Sequence, residues 1–391
     1  MSRVRADVSA VDPSGSPRVF VLAYWAPDLY PQLYHLAAGL ADAGARVSFL
    51  SVDAPTKHGA GEHPGVAWAP RPPSRGRSPL PWFRANYHLI FRMLVRAKPA
   101  VVVAQRDYLI VALLYRLLLP WRRARIAAYS TDYDDRARYL MLQKPFAGLL
   151  DVWIDICDLR VQWRQHDWPR MTAIPFVVRQ APHRVQRVGP VPAPPEASAL
   201  PSPRVVLTSS KYLLLRDRAR LSRFLAALCE RGIELDWYLA LDDDDDAAAA
   251  RSLCADPRFT VRPAVEKAAL LPLLGGYDAG LFYAPLAEYD PRDPAGRSHF
   301  LSAASNKIGE YIAAGLIVAH SSNPGLAYLP AAVGLAFDPS DPDAGAEQVA
   351  CVLHDRAEVA RRRSAVSRYH EDEMNLEAQA APLIRHLLEA R

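Results

Sequence analysis

The sequence contains little cysteine, and that scarcity narrows the kinds of site it can hold. Its four cysteines, Cys157, Cys229, Cys254 and Cys351, are scattered, and none forms a Cys-x-x-Cys pair or lies near paired histidines. This spacing argues against a structural zinc site and against a disulfide framework. It fits a protein of a reducing compartment, the cytoplasm.

Long apolar segments are also missing from the sequence. Residues 1–18 are polar and have no apolar core, so they do not read as a signal peptide. The longest apolar run, residues 108–121, is interrupted by Arg116 and is too short to span a bilayer. We therefore expect a cytoplasmic protein, with the inner face of the membrane as a second possible place.

The composition is that of a globular protein. The chain has 391 residues, of which 50% are hydrophobic and 23% are charged, so it can bury the cores of two or three domains.

Charge is divided unevenly between the two halves of the chain. Residues 1–200 carry 26 Lys and Arg against 15 Asp and Glu, a net of +11, whereas residues 201–391 have a net of −6.

The basic first half favours an anionic partner. A phosphate-bearing acceptor, an anionic membrane surface and nucleic acid are all negatively charged partners of this kind. The arginine-rich composition that a GC-rich genome produces explains the excess of basic residues equally well. The basic residues form no nucleic-acid-binding motif, so we expect no nucleic acid as a partner. An anionic or lipid-linked acceptor and a peripheral contact with a membrane stay open.

Strand and helix patterns alternate along both halves of the sequence. In the first half, apolar runs at 18–26 and 45–52 flank a helical segment that begins at Pro31 and stops at Gly44. Further strands are predicted at 100–104, 124–130 and 172–178, and helices at 82–97, 108–119 and 144–152. This order predicts parallel sheets with right-handed crossovers.

Proline divides the two halves. Seven prolines lie between residues 180 and 203, and such a run forms neither a helix nor an interior strand. A second alternation begins at residue 204. We therefore predict an α/β protein with a first domain over 15–180, a linker over 181–203 and a second domain over 204–369.

One stretch of the second half, SNKIGEYIAAGLIVA at residues 305–319, carries the main prediction of function. It reads as a helix that stops at Gly315 and is followed by an apolar strand. The start of a helix offers backbone N–H groups and a positive dipole to a phosphate. Lys307 adds a cation there, and Glu310, one turn later, can accept hydrogen bonds from a ribose diol. The stretch therefore predicts a nucleoside diphosphate site.

The same stretch resembles the donor-site helix of GT-B fold glycosyltransferases. The family-four-like group of these enzymes has a pattern close to S-N-K-x-x-E-Y-x-A-A-G-x-P-V, which this sequence matches at Ser305, Asn306, Lys307, Glu310, Tyr311, Ala313, Ala314, Gly315 and Val318. Ile317 replaces the usual proline. Ser302 replaces an earlier glutamate, so one donor-sugar contact of the group is missing or substituted.

The resemblance implies a fold of two Rossmann-like, doubly wound parallel-sheet domains that face a central cleft. It also implies that the last helix, at about 370–391, packs back on the first domain. Ser210 and Lys211, which follow the first strand of the second domain, would contact the donor phosphates. Val265 would bind the nucleobase through its backbone, and Tyr283 would line the same region, although an aromatic at a strand end is usually a core residue.

The first half offers carboxylates for proton transfer. Asp132 follows the strand predicted at 124–130, where a carboxylate can deprotonate an acceptor hydroxyl, or can simply begin the next helix. Asp28, after the first strand, is the second candidate. Arg106 and Asp107 follow the strand at 100–104 and would hold the acceptor.

The sequence as a whole predicts a metal-independent hexosyl-type glycosyltransferase. The run Asp242–Asp246 reads as a solvated loop and helix start, because consecutive carboxylates cannot all converge on one ion, and no cofactor is expected. Bacterial polysaccharide, glycoconjugate or natural-product synthesis would be its setting. Two alternatives remain: a catalytically silent nucleotide-sugar-binding protein and a nucleotide-sugar epimerase of the same fold.

Overall fold

The structure is a computed structural model that describes residues 15–23, 31–51, 63–69, 79–105, 108–130, 144–179, 202–210, 218–240, 244–265, 267–283 and 306–389. The chain divides into two compact units. The first comprises residues 1–178 and 379–391, and the second comprises residues 179–378. The region predicted as a linker lies almost entirely outside the described residues.

The first unit is built on a parallel sheet. Its strands are β1 (Arg18–Ala23), β2 (Arg46–Ser51), β3 (Val66–Trp68), β4 (Val101–Gln105), β5 (Arg125–Tyr129), β6 (Val152–Asp155) and β7 (Ile174–Val177). They are ordered β3-β2-β1-β4-β5-β6-β7. Its helices are α1 (Pro31–Asp42), α2 (Pro79–Ala97), α3 (Tyr108–Leu118) and α4 (Asp158–Asp167). Short 3-10 turns cover Pro120–Arg122 and Lys144–Leu149.

The second unit repeats this plan. Its strands are β8 (Arg204–Ser210), β9 (Glu234–Ala240), β10 (Phe259–Pro263), β11 (Ala279–Phe282), β12 (Ile317–Ser321) and β13 (Gly334–Phe337), in the order β10-β9-β8-β11-β12-β13. All recorded pairings are parallel. Its helices are α5 (Arg218–Glu230), α6 (Asp244–Arg251), α7 (Lys267–Leu274), α8 (Asn306–Ala313), α9 (Pro342–His354) and α10 (Arg356–Tyr369).

Helices cover both faces of each sheet, which explains the apolar runs of the central strands. In the second unit, Leu207 and Leu281 pack on one face with Phe224 of α5. Val206 and Val318 pack on the other face with Tyr311 of α8. Alternate residues of a strand point to opposite faces, so β8 contributes to both cores. None of the described helices is both long and apolar enough to cross a bilayer.

Three elements of the first unit were not predicted. The first is β3, a three-residue strand that pairs with β2. The helix predicted at 144–152 is a 3-10 turn followed by β6, because Val152 and Ile154 are buried inside the sheet. Helix α4 has a polar sequence, and two of its buried residues are arginines, Arg160 and Arg164. Its inner face therefore lacks the apolar pattern from which a helix is predicted.

The last part of the chain belongs to both units. A π-helical turn, His370–Met374, follows α10, and α11 (Leu376–Leu388) ends the fold. Met374 is buried in the apolar cluster of the second unit, so residues 370–378 stay there, and the change of unit comes later than the predicted 370. In the first unit, Ile384 packs on Gly39, and Arg125 donates to the carbonyl of His386. Pro382 does not interrupt α11.

One tyrosine ties α8 to the sheet of the second unit. The hydroxyl of Tyr311 accepts a hydrogen bond from the Thr208 backbone N–H at 2.9 Å and lies 2.9 Å from the Thr208 hydroxyl. It also donates to the Leu281 carbonyl at 3.4 Å. The ring is completely buried. These bonds join α8 to β8 and β11 together.

Gly280 makes that contact possible. A Cβ atom at this position would lie 2.3 Å from the Tyr311 ring, far inside van der Waals contact. Only glycine therefore lets the ring lie flat against β11. The distance between α8 and the sheet is set by this pair.

The opposite end of α8 is held by a buried arginine. Arg363 of α10 donates to the carbonyls of Gly315, after α8, at 3.2 Å, and of Gly275, after α7, at 3.3 Å. A cation beside the carbonyl ends of two helices complements their dipoles. Burial lowers the pKa of Arg363, and this cost is offset by the two helix ends that it caps.

We predict that Gly280→Ala lowers the free energy of unfolding by about 1–3 kcal/mol, because the added methyl group forces the Tyr311 ring away from the sheet. Urea unfolding monitored by circular dichroism measures the change. Gly276→Ala is the matched control, since its Cβ would meet no atom closer than 3.5 Å. Equal stability of the two variants would contradict the close packing of Tyr311.

Candidate functional site

The start of α8 lies at the carboxyl edge of the second sheet. The helix connects β11 to β12, which are parallel neighbours, so it runs antiparallel to both strands. Its first residue, Asn306, is therefore at the edge where the strands end. Bonds from Tyr311 to Thr208, two residues before the end of β8, place the helix directly beside that strand.

The order in which strands are added to the sheet reverses between β8 and β11. From β8 the chain proceeds through β9 to β10 on one side, and from β11 through β12 to β13 on the other. Open α/β sheets bind ligands in the crevice outside the carboxyl ends of the two strands at such a switch point. Here those strands are β8 and β11, the two that Tyr311 joins.

Lys307 and Glu310 share one side of α8. Three positions apart, they are neighbours on the helix surface, and the negative charge of Glu310 acts on Lys307. Both residues are half-buried, whereas Ile308, Tyr311 and Ile312 form the buried side of the helix. A cation and an acceptor are thus presented together beside the backbone N–H groups of a helix start.

Burial changes the acidity of Lys307. Loss of hydration lowers the pKa of its ammonium group below the ordinary value, and the nearby Glu310 carboxylate opposes that shift. The charged form of a partly dehydrated ammonium group is stabilised by a bound anion. The attraction between the two charges replaces the hydration that burial removes. Lys307 is therefore a candidate to bind an anion.

Two further predicted donor contacts lie along the same edge. Ser210 is the last residue of β8, and Val265 follows β10 and is half-buried. The neighbouring Ala264 donates its N–H to the Leu239 carbonyl of β9 at 3.0 Å, which fixes the course of the chain there. The structure thus places Ser210, Val265 and the start of α8 at one edge of one sheet. Lys211 and Ser305 lie outside the described residues.

Tyr283 has a different position. It follows β11, but its ring is buried on the sheet face opposite α8, 5.7 Å from the Phe224 ring and 6.3 Å from the Phe337 ring. The structure places this side chain in the core, in agreement with the general behaviour of aromatics at strand ends. It does not join Lys307 and Glu310.

The candidate residues of the first unit, Asp28, Arg106, Asp107 and Asp132, all lie outside the described residues. The strands that precede them are described. β1, β4 and β5 end at Ala23, Gln105 and Tyr129, and they are adjacent in the sheet. Because the three strands are parallel, their carboxyl ends meet at one edge, with β1 and β4 flanking the switch point.

Sequence reasoning missed a buried polar chain at this edge. Arg160 of α4 donates to the hydroxyl of Ser130 at 3.0 Å, directly after β5, and lies 3.1 Å from an Asp155 carboxylate oxygen. Asp155 also accepts from the Ile156 N–H at 2.7 Å and from the Trp153 indole at 3.3 Å. These groups fix the chain immediately before Asp132. An arginine in a polar helix gave no signal of this role.

No cluster able to hold a metal ion appears among the described residues, counting groups of three or more His, Cys, Asp and Glu. The described part of the aspartate run, residues 244–246, forms the first turn of α6. The four cysteines are free thiols, and three of them are buried.

Several solved structures of glycosyltransferases are similar to this chain. A glycosyltransferase from Rickettsia africae aligns with 96% of this chain and 100% of its own at a TM-score of 0.71 and 12% identity. HepE from Anabaena, in complex with UDP, aligns over 95% and 99% with a TM-score of 0.69 and 12% identity. A putative UDP-N-acetylglucosamine 2-epimerase from Listeria monocytogenes aligns over 96% and 98%, at 0.59 and 9%.

At the level of sequence, no known family model and no curated protein matches this chain. The structural likeness extends over almost the whole length of each protein compared, although identity is low. Two α/β units with parallel sheets of seven and six strands agree with those neighbours. The chain therefore has the GT-B glycosyltransferase fold, as the sequence analysis predicted.

Proposed function

We propose that this protein transfers a sugar from a nucleoside diphosphate donor to an acceptor hydroxyl. The observation that carries the proposal is the placement of Lys307 and Glu310 on one side of α8, at the switch point of the second sheet. The UDP bound to HepE and the UDP-glucose bound to another structural neighbour, an alpha-glucosyltransferase, support a nucleotide-sugar donor.

In this proposal the second domain, residues 204–369, holds the donor. The diphosphate binds at the start of α8 near Ser305 and Asn306, and Lys307 neutralises the charge that develops on the leaving group. Ser210 and Lys211 contact the phosphates from the end of β8. Glu310 accepts hydrogen bonds from the ribose, and the backbone at Val265 contacts the base. The helix start and Lys307 take the role that a metal ion plays in other transferases.

The first domain, residues 15–180, would bind the acceptor. The hydroxyl oxygen of the acceptor attacks the anomeric carbon of the donor sugar, and the bond from that carbon to the phosphate oxygen breaks. The hydroxyl proton passes to a base. Asp132 is our candidate for the base in an inverting reaction, with Asp28 as second choice. In a retaining reaction Asp132 only orients the acceptor. Serine at position 302, in place of the earlier glutamate, favours inversion. Arg106 and Asp107 would hold the acceptor.

The proposed setting is the synthesis of a bacterial glycoconjugate, polysaccharide or natural product at the cytoplasmic side of the membrane. An epimerase of the same fold is the second candidate, and the Listeria neighbour favours it. A catalytically silent nucleotide-sugar-binding protein is the third. Product analysis separates the three, since only the transferase forms a new glycoside.

We predict that Glu310→Gln weakens binding of the preferred nucleoside diphosphate about tenfold to a hundredfold, the usual value of hydrogen bonds to a charged group. Isothermal titration calorimetry with UDP, ADP, GDP and dTDP first finds the ligand. The 2′,3′-dideoxy form of that ligand then completes a double-mutant cycle. If Glu310 holds the ribose, removing the hydroxyls weakens binding to the native protein but not to the variant.

The exposed Glu347, which pairs with Arg231 on the far helical layer, provides the control variant Glu347→Gln. It should bind every nucleotide as the native protein does. Equal losses from the dideoxy ligand in native protein and Glu310→Gln would show that Glu310 does not contact the ribose.

We predict that binding of the diphosphate weakens as pH rises, because binding requires the charged form of Lys307. Its pKa is lowered in the free protein and rises again when the anion binds, so affinity is full below the free pKa and declines above it. Calorimetry from pH 7 to pH 10 measures the decline. Lys307→Arg keeps its charge over this range. In this variant the only remaining decline of affinity should be the one caused by the ligand's own titration. Identical pH profiles would exclude Lys307 from the site.

We predict that Asp132→Asn lowers kcat at least a hundredfold and leaves nucleotide affinity unchanged, since general base catalysis contributes about 10²–10⁴-fold. Mass-spectrometric detection of transferred sugar, with a panel of candidate acceptors, provides the assay. Asp28→Asn is made in parallel. Full activity of the Asp132 variant and loss in the Asp28 variant would move the base to position 28.

A further inference from the structure

The end of α3 and the turn after it expose large apolar side chains. Exposed fractions are 38% for Leu114, 48% for Leu117, 57% for Leu118 and 67% for Trp121. Leu117 and Leu118 come three and four positions after Leu114, so the three leucines lie on one side of the helix. Among the described residues only two other large hydrophobic side chains are this exposed, Phe146 and Ile174.

Basic side chains stand next to these apolar groups. Arg122 and Arg123 follow Trp121 and are exposed. The turn Lys144–Leu149 contacts α3 and adds exposed Lys144 beside Phe146. Arg116 does not contribute, because it donates to Asp151 and to the Ala124 carbonyl inside the unit. We call Leu114, Leu117, Leu118, Trp121, Arg122 and Arg123 the α3 patch.

The backbone holds the α3 patch in one conformation. Pro120–Arg122 forms a 3-10 turn, and Arg123 ends it with φ of 49°, in the left-handed region. The Arg123 N–H donates to the Pro120 carbonyl at 3.3 Å. Trp121 is therefore presented to solvent by an ordered turn that begins with proline, whose fixed φ limits alternative conformations.

The neighbouring helix shows that this exposure is not general. On α2, Ile90 and Leu94 are buried, and Tyr87, Phe91 and Met93 pack against the core. Its exposed side carries His88, Arg92 and Arg96. The described side chains of α2, residues 86–97, thus form an ordinary amphipathic helix with a polar exposed side, and the apolar exposure lies on α3.

We propose that the α3 patch docks on an anionic lipid bilayer. Tryptophan and leucine beside arginines match the boundary between acyl chains and headgroups, where the rings and leucines enter the apolar layer and the guanidinium groups bind phosphate. The net charge of +11 on residues 1–200 adds attraction to an anionic surface.

Charge also argues against a second copy of the chain as the occupant. A symmetric dimer through the α3 patch would place Arg122 and Arg123 of one copy near the same residues of the other. An anionic surface is attracted by these side chains, whereas a second copy is repelled. The proposal does not depend on the sugar-transfer reaction.

Vesicle flotation tests the proposal with the full chain. Native protein should float with vesicles of phosphatidylcholine and phosphatidylglycerol at 0.1 M NaCl, and binding should weaken with pure phosphatidylcholine or at 0.5 M NaCl. Arg122→Gln with Arg123→Asn should lower the partition coefficient about tenfold or more. Asparagine is chosen because it tolerates the positive φ at position 123.

A second variant, Leu118→Gln with Trp121→Gln, tests the apolar contribution and should also reduce flotation at least tenfold. The matched control is Arg251→Gln with Arg368→Gln, which removes two exposed charges from the second unit and should float as the native protein does. Thermal unfolding and nucleotide titration of each variant show that the fold and the donor site are intact.

Three results would overturn the proposal. Native protein that fails to float with anionic vesicles excludes the docking. Equal flotation of the α3 variants and the control places the contact elsewhere on the chain. A dimer detected by light scattering that becomes a monomer in the Leu118 and Trp121 variant assigns the α3 patch to a second copy.

Discussion

The contact between Tyr311 and Gly280 determines where the candidate site is. The ring can lie against β11 only because position 280 has no Cβ, and the tyrosine hydroxyl then reaches both Thr208 on β8 and Leu281 on β11. A single side chain thereby joins the two strands that flank the switch point. The start of α8 follows from this anchor, since the helix is rigid over its short length.

Each end of α8 has a cation beside it, and the two cations have opposite effects on stability. At the carbonyl end, Arg363 occupies a buried position and donates to Gly315 and Gly275. At the amino end, Lys307 is a cation beside the positive end of the dipole, an arrangement that costs stability in the absence of an anion. Burial adds a second cost, because loss of hydration lowers the pKa of Lys307. A bound anion would compensate this unfavourable charge, which supports our proposal of an anion site at this end.

In the described part of the chain, each unit has polar groups at the carboxyl edge of its sheet. In the second, the start of α8, Ser210 and Val265 share one sheet edge. In the first, the described part of the edge consists of strand ends and the chain Ser130–Arg160–Asp155. That chain holds Ser130, the last described residue before Asp132, which we propose as the base.

Sequence patterns predicted the parts of the structure whose signals are local. The βαβ alternation identified the parallel sheets, and the S-N-K and E-Y letters identified α8 and its polar side. Strand β6 and helix α4 were missed because their letters carry no clear period, and β3 because it has only three residues. Pro382 lies inside the last helix without interrupting it, and the neighbouring Leu383 and Leu387 are buried.

The amino-acid sequence by itself determined the alternating α/β order, the helix that starts near residue 306 and the charge difference between the halves, because each depends on neighbouring residues. Tertiary structure alone decided that Tyr283 is a core residue, that Arg363 caps α8 and that α3 leaves its leucines exposed. Those outcomes depend on which elements pack together across the sheet, and residues far apart in sequence settle them: Gly280 with Tyr311, and Gly315 with Arg363.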